Sequence, residues 1–276
     1  MSILYVGHQG RGISGSFEIG NNNPFPRCPT SGYNIYMVQR KITFAEGEFY
    51  HLYNRGNSKQ EIFLDDQDRD RFIKLLYLCN SHKSINFRDD IVEKKIDAWD
   101  FKRGKEIIFI GAWVLMPNHF HFLTTISPMS DIGEGSISLF MKKVCTSYSK
   151  YFNKKYERTG ALFESNFKAT IADSDEYLKY LFSYVHLNPI KLIDVEWKIK
   201  GIQNHKKALD FLNGYLWSSY SDYQGKQSVR NKIISPKNFP DYFSNPKVFN
   251  EEIFEWLFYT PMSDIGDIGE YRDHLE

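Results

Sequence analysis

The sequence predicts an α+β fold: an antiparallel sheet with helices packed on it. Three observations carry this expectation. Apolar residues recur with alternating periods of two and of about 3.6, in the order strand, helix, strand, strand, helix, strand, helix. Two strands are consecutive in that order, joined at Pro117-Asn118. Hydrophobic residues make up 42% of the 276 and charged residues 25%, so a sizeable core can form.

The elements follow in chain order. Residues 1–36 are rich in Gly, Asn, Ser and Pro and lack periodicity. Ordered patterning begins near Ile42, so residues 1–41 are expected to be a flexible leader, with Met37 a more natural start. Residues 48–54 read as a strand ended by Arg55-Gly56-Asn57. Asp65 to Asp68 supply caps for a helix near 67–82, with Phe72, Leu75, Leu76 and Cys79 on one face. The polar stretch 83–105 reads as an insertion or long loop.

Strands are expected near 107–115 and 119–126, then a helix from Ser136 to about Tyr156. Residues 163–171 read as the next strand. Asp173 to Asp175 cap a helix over about 174–187, which Pro189 cannot comfortably continue. The C-terminal third is aromatic but weakly patterned. Residues 226–276 read as an acidic appendage, helical around Phe249 to Phe258. The hexapeptide Pro-Met-Ser-Asp-Ile-Gly occurs at 128–133 and 261–266, too short to define a structural repeat.

Composition narrows the function classes. No apolar run reaches the roughly 18 residues of a membrane span, and the N-terminus lacks a signal-peptide layout. The three cysteines, Cys28, Cys79 and Cys145, fit neither a disulfide framework nor a zinc knuckle. A reduced, cytoplasmic protein without a membrane partner is expected. The net charge of +1 is unevenly spread. Residues 241–276 hold nine acids and two bases, which leaves +8 on the rest. Between Lys142 and Lys168 there are seven bases and two acids. That is compatible with phosphate binding and equally with a solvated helix face.

The chemistry concentrates at Pro117-Asn118-His119-Phe120-His121-Phe122-Leu123. On a strand, residues i and i+2 share a face. His119 and His121 then stand together with Phe120 behind them, and imidazole pairs suit divalent transition metals. Tyr184 and Asn188 are four apart on the later helix and share its face, a stripe that Tyr177 and Tyr180 extend. Asn188 could complete a site of two imidazoles and one oxygen, with Tyr184 beside the metal. That layout suits attack on phosphorus, although a tyrosine stripe also serves core packing. His186 lies on another side of the helix, where it packs or faces solvent. His51 is a weaker candidate ligand.

These motifs resemble a family. The segment 117–123 is similar to the HUH motif (histidine, bulky apolar residue, histidine) of single-tyrosine transposases. Residues 173–178 and 183–189 resemble the catalytic-tyrosine helix of the REP-associated tyrosine transposases, which belong with the IS200-like transposase domains. Residues 50–57, 160–168 and 217–220 resemble further elements, so the likeness spans roughly 45–225. It implies a ferredoxin-like HUH endonuclease domain over 42–225. It implies Tyr184 as nucleophile, forming a 5′-phosphotyrosine link, and His119, His121 and Asn188 as ligands of Mg2+ or Mn2+. The implied partner is single-stranded DNA bearing a hairpin or palindromic repeat, acted on in DNA transposition by a monomer or homodimer.

Candidate DNA contacts are Asn54, Arg55, Lys142, Lys143, Lys150, Arg158, Phe163 and Lys168. Phe163 could stack a base or be buried, and Asn54-Arg55 could meet DNA or form a plain turn. The rival from another class is a non-cleaving DNA-binding regulator of repeat elements that keeps the fold. A second rival is a metal-dependent phosphodiesterase using activated water.

Overall fold

The structure, a computed structural model, describes residues 42–241 and 245–258. The expected leader, much of the acidic tail and the second hexapeptide lie outside the described residues. Four strands form one antiparallel sheet: β1 (Phe49–Arg55), β2 (Ile108–Met116), β3 (His119–Ile126) and β4 (Lys168–Ala172). Their order is β2-β3-β1-β4. Helix α1 (Asp66–Cys79) joins β1 to β2, and α2 (Ser136–Lys155) joins β3 to β4. Each helix returns the chain to a strand two places away, with one strand of the other unit between, so two split β-α-β units interlock in ferredoxin-like order.

Strand alternation assigns the two faces of the sheet. Tyr50, Leu52, Trp113, Leu115, Phe120 and Phe122 face α1 and α2. Phe72 of α1 lies at the centre of that core, 5.1 Å from Phe120 and 4.9 Å from Tyr148, ring to ring. The other face presents Phe109, Val114, Met116 and Leu123 to helix α3 (Asp175–Leu187). The phase of β2 shifts at a bulge between Ile110 and Ala112. Gly111 sits there because a Cβ would fall 2.6 Å from the Phe239 ring.

Local chemistry explains the helix starts. Asp65 accepts a 2.9 Å hydrogen bond from the Asp68 amide, and Asp68 accepts one of 2.9 Å from the Leu64 amide. Ser174, between the two aspartates expected to cap α3, is the residue that caps it, accepting from the Tyr177 amide at 3.1 Å.

Three departures from the sequence expectations have physical reasons. The last strand begins at Lys168 rather than 163. Phe163 and Glu164 do extend β1, through a bridge to Gly56 and a 3.0 Å bond to the Arg55 carbonyl. The chain then breaks at Ser165, whose carbonyl accepts from the Asn54 side chain at 3.1 Å. Residues 83–105 are a packed loop, with Ile91 and Ala98 buried against Leu78 and Trp99 reaching the main core. The helix in the expected appendage, Pro246–Phe258, is part of the second core. Its Phe249, Ile253 and Leu257 are buried in the cluster that holds Phe182 and Tyr223.

Residues 217–219 hydrogen-bond the free edge of β2, through Leu115 N to Trp217 O and Ser219 N to Trp113 O, both 2.9 Å. That pairing caps the sheet edge. Among the described residues, no helix is long and apolar enough to cross a membrane.

Candidate active site

The site lies on the sheet face covered by α3. β3 opens immediately after Pro117-Asn118, so His119 and His121 project from its first residues, with ring centroids 5.0 Å apart. On the neighbouring strand Tyr53 stands opposite His121 and Arg55 opposite His119. His51, two residues before Tyr53, places Nε2 2.9 Å from His121 Nδ1. His119 Nδ1 lies 2.6 Å from Asn118 Oδ1.

The α3 stripe completes the arrangement. The rings of Tyr177, Tyr180 and Tyr184 stack in sequence at 5.9 Å spacing. Tyr184 is 3% exposed, and its ring lies 5.4 Å from that of His121. Asn188 caps α3 through its amide N–H, which donates to the Tyr184 carbonyl. α3 ends at Leu187, before Pro189, as expected. Pro189 opens a tighter turn, Asn188–Leu192, where its missing N–H costs nothing. That turn carries Lys191, and helix α4 (Trp197–Lys200) carries Lys198. Lys198 Nζ donates to Tyr184 Oη at 3.3 Å and lies 4.3 Å from the centre of its ring.

Tyr53, His119, His121, Tyr184, Asn188 and the two lysines line a cleft of about 490 Å³. Arg55, Lys59, Lys168, Lys191 and Lys198 line it against two acids, Glu61 and Glu164. Glu164 is ion-paired to Arg55, so the cleft is cationic.

Burial dominates the proton equilibria. It lowers His51 to about 3, with Lys198 adding to the effect. It lowers His119 to about 4, reinforced by Lys191. It holds His121 well below the ordinary imidazole value, with His51 and His119 contributing. The three imidazoles are therefore neutral, the form that binds metal. Burial raises the Tyr184 phenol, Tyr180 adds to this, and a hydrogen bond from Asn188 opposes it.

The side chains fit a divalent cation. His121 Nε2 and Asn188 Oδ1 are buried and have no hydrogen-bond partner at bonding distance. Asn118 holds His119 through Nδ1, which leaves Nε2 as the available donor. Two imidazole nitrogens and an amide oxygen make a borderline donor set suited to first-row metals. Among the described residues, no group of three His, Cys, Asp or Glu side chains forms a metal cage. The third donor would be the side-chain oxygen of Asn188.

The other sequence candidates divide by layer. Asn54, Arg55 and Lys168 line the cleft. Lys142, Lys143 and Lys150 sit on α2, against the opposite face of the sheet, and do not line it. Lys143 is engaged with the carbonyls of Ser81 and Lys83. Arg158 donates to Gln60 and Asn153. Phe163 is buried, edge-on to Phe120. His186 packs inside, bonded to the Phe182 carbonyl and the Ser219 hydroxyl. Sequence reasoning missed Lys59, Lys191, Lys198 and the pairing role of His51. Lys191 did carry a signal, since 184, 188 and 191 fall on one helical face. Lys198 follows a break in periodicity and carried none.

No protein-family model matches the chain, and no curated protein matches it. Among solved structures, it is similar to a REP-associated tyrosine transposase bound to a REP hairpin. That likeness has a TM-score of 0.38 and 14% identity, covering 69% of this chain and 88% of that one. It is also similar to a tRNA(His) guanylyltransferase from Saccharomyces cerevisiae, with a TM-score of 0.31 and 13% identity, covering 75% and 88%. Scores this low carry no weight for the site, whose reading rests on its own geometry.

Proposed function

We propose that this chain is a single-stranded DNA nuclease and strand transferase that works through Tyr184. One observation carries the reading: a buried tyrosine hydroxyl beside two neutral histidines, an amide and a lysine, in a cationic cleft. The order and spacing of the motifs, which resemble HUH transposases, support it. Arg55, Lys168 and Lys191 would draw the phosphate backbone into the cleft. Tyr184 Oη would attack phosphorus, forming an Oη–P bond while the P–O3′ bond breaks. The phenol proton ends on the departing 3′-oxygen, and the protein holds the 5′-phosphate. The ester preserves the bond energy, so the reverse attack by a 3′-OH reseals DNA without ATP.

Mg2+ or Mn2+ held by His119, His121 and Asn188 would polarise the phosphodiester oxygen and stabilise its charge. Stacking of Tyr184 on Tyr180 fixes the phenol's direction. Hairpin or palindromic repeat DNA is the proposed substrate, and DNA transposition the proposed setting.

The deep burial of Tyr184 favours a second reading, a DNA-binding regulator that does not cut. Cleavage of a hairpin-bearing single strand by the Tyr184→Phe variant separates the readings. Complete loss of cutting with retained DNA binding supports the nuclease. A wild-type protein that binds but never cuts supports the regulator. Cutting that survives Tyr184→Phe points to a water-using phosphodiesterase.

A further inference from the structure

We infer that Lys198 is a second catalytic residue, the cation that balances charge on Tyr184 Oη during cleavage and resealing. The inference rests on the nuclease reading above. Lys198 Nζ is 3.3 Å from Tyr184 Oη, in direct contact with the atom that would form and break the bond to phosphorus. Its placement is built into the fold. The preceding residue, Trp197, is buried in the second core. Gly201, at φ 71°, then turns the chain so that Ile202 also enters that core. Lys198 is thus held between two buried anchors at the mouth of the cleft. Glu196, two residues before Lys198, pairs with Lys200 at 2.6 Å.

The ligand set explains why such a cation is needed. A metal held by His119, His121 and Asn188 would supply positive charge to the phosphate. None of them places positive charge on the nucleophile. As the Oη–P bond forms and the P–O3′ bond breaks, the phenol proton passes to the 3′-oxygen. In resealing, a 3′-OH attacks and Oη leaves with the bonding pair, then recovers the proton. Lys198 donates a hydrogen bond to Oη in both directions and keeps its own proton. A preorganised donor aimed at a reacting oxygen in a dry site commonly contributes about 10²–10³-fold in rate.

The test uses the full chain, a hairpin-bearing single-stranded oligonucleotide and Mn2+, at saturating DNA. Lys198→Met should lower both adduct formation and resealing by about 10²-fold, with no change in the salt slope of DNA binding. Lys198→Arg should recover most of both rates. A slope flattened by about 0.7 with normal saturated rates would make Lys198 a phosphate anchor and overturn the inference. A lower melting temperature with normal rates would make it a packing residue and overturn the inference equally. If Lys198→Met fails to fold, Lys198→Gln, which keeps a similar length and a donor without charge, should show the same rate loss. Wild-type adduct matched by the variants defeats the inference alone. A wild-type protein that forms no adduct defeats the parent reading and this one with it.

Discussion

His51 and His121 meet across neighbouring strands, Nε2 to Nδ1 at 2.9 Å, with both residues buried. One ring nitrogen of His121 is therefore committed to protein, and the other, Nε2, is left without a partner. Partners of this kind fix the tautomer and orientation of a metal-binding imidazole, and losing one typically costs 10–100-fold in metal affinity. His51→Phe, which keeps a ring in the core, should weaken Mn2+ binding by about 10–100-fold in calorimetry. Unchanged affinity would remove His51 from the site.

The cleft's charge predicts that metal and DNA bind cooperatively. Lys191 and Lys198 both face the histidines closely enough to disfavour their protonation, so they also disfavour a divalent cation. A phosphate drawn into the cleft by Arg55, Lys168 and Lys191 offsets that repulsion. The Tyr184→Phe protein, which cannot react, should bind Mn2+ about 5–150-fold more tightly with a single-stranded oligonucleotide present. Equal affinities with and without DNA would contradict this electrostatic coupling.

The two layers of basic residues make separable predictions. Lys168 and Lys191 line the cleft, whereas Lys142 and Lys150 lie on α2 against the opposite face. Each phosphate contact on a single strand adds about −0.7 to the slope of log affinity against log salt. Alanine at Lys168 and Lys191 together should flatten the slope by roughly 1.4. Alanine at Lys142 and Lys150 should leave it nearly unchanged. The opposite pattern would move the DNA track to α2.

A stability prediction comes from Asp222. Its side chain is buried, Oδ2 lacks a partner, and burial raises its pKa from 3.8 to about 7, against an opposing Arg230. The folded state therefore keeps this proton to higher pH than the unfolded state does. Its contribution is fully present below the unfolded value near 3.8 and is lost as pH rises towards about 7. Asp222→Asn should stabilise the protein above pH 7 by on the order of 2 kcal/mol, and not at pH 4. Melting curves at the two pH values check it. A variant that melts lower at high pH would show that the carboxylate is satisfied.

Much of this fold was legible because its signals are local. Alternation placed β1 to β3, helical spacing placed α1 to α3, and the two strands joined at Pro117-Asn118 are the β2–β3 pair. Alternation also put His119 and His121 together, and the i, i+4 spacing put Asn188 beside Tyr184. What was not legible depends on non-local contacts. The start of β4 is set by the Asn54 side chain on Ser165, 111 residues apart. The packing of the C-terminal helix, Pro246–Phe258, depends on Phe249 meeting Phe182 and Tyr223. The distribution of lysines between cleft and outer layer follows from which face of the sheet each helix covers, and a run of charges in sequence does not encode that.

The most direct measurement of the central claim is the site of covalent attachment. The wild-type protein is incubated with a hairpin-bearing single strand and Mn2+, digested, and the DNA-linked peptide is sequenced by mass spectrometry. Chemistry through Tyr184 predicts a 5′-phosphate ester on that residue, absent in EDTA and absent in His121→Ala. An adduct on Tyr177 or Tyr180, or one that forms equally in EDTA, would contradict it.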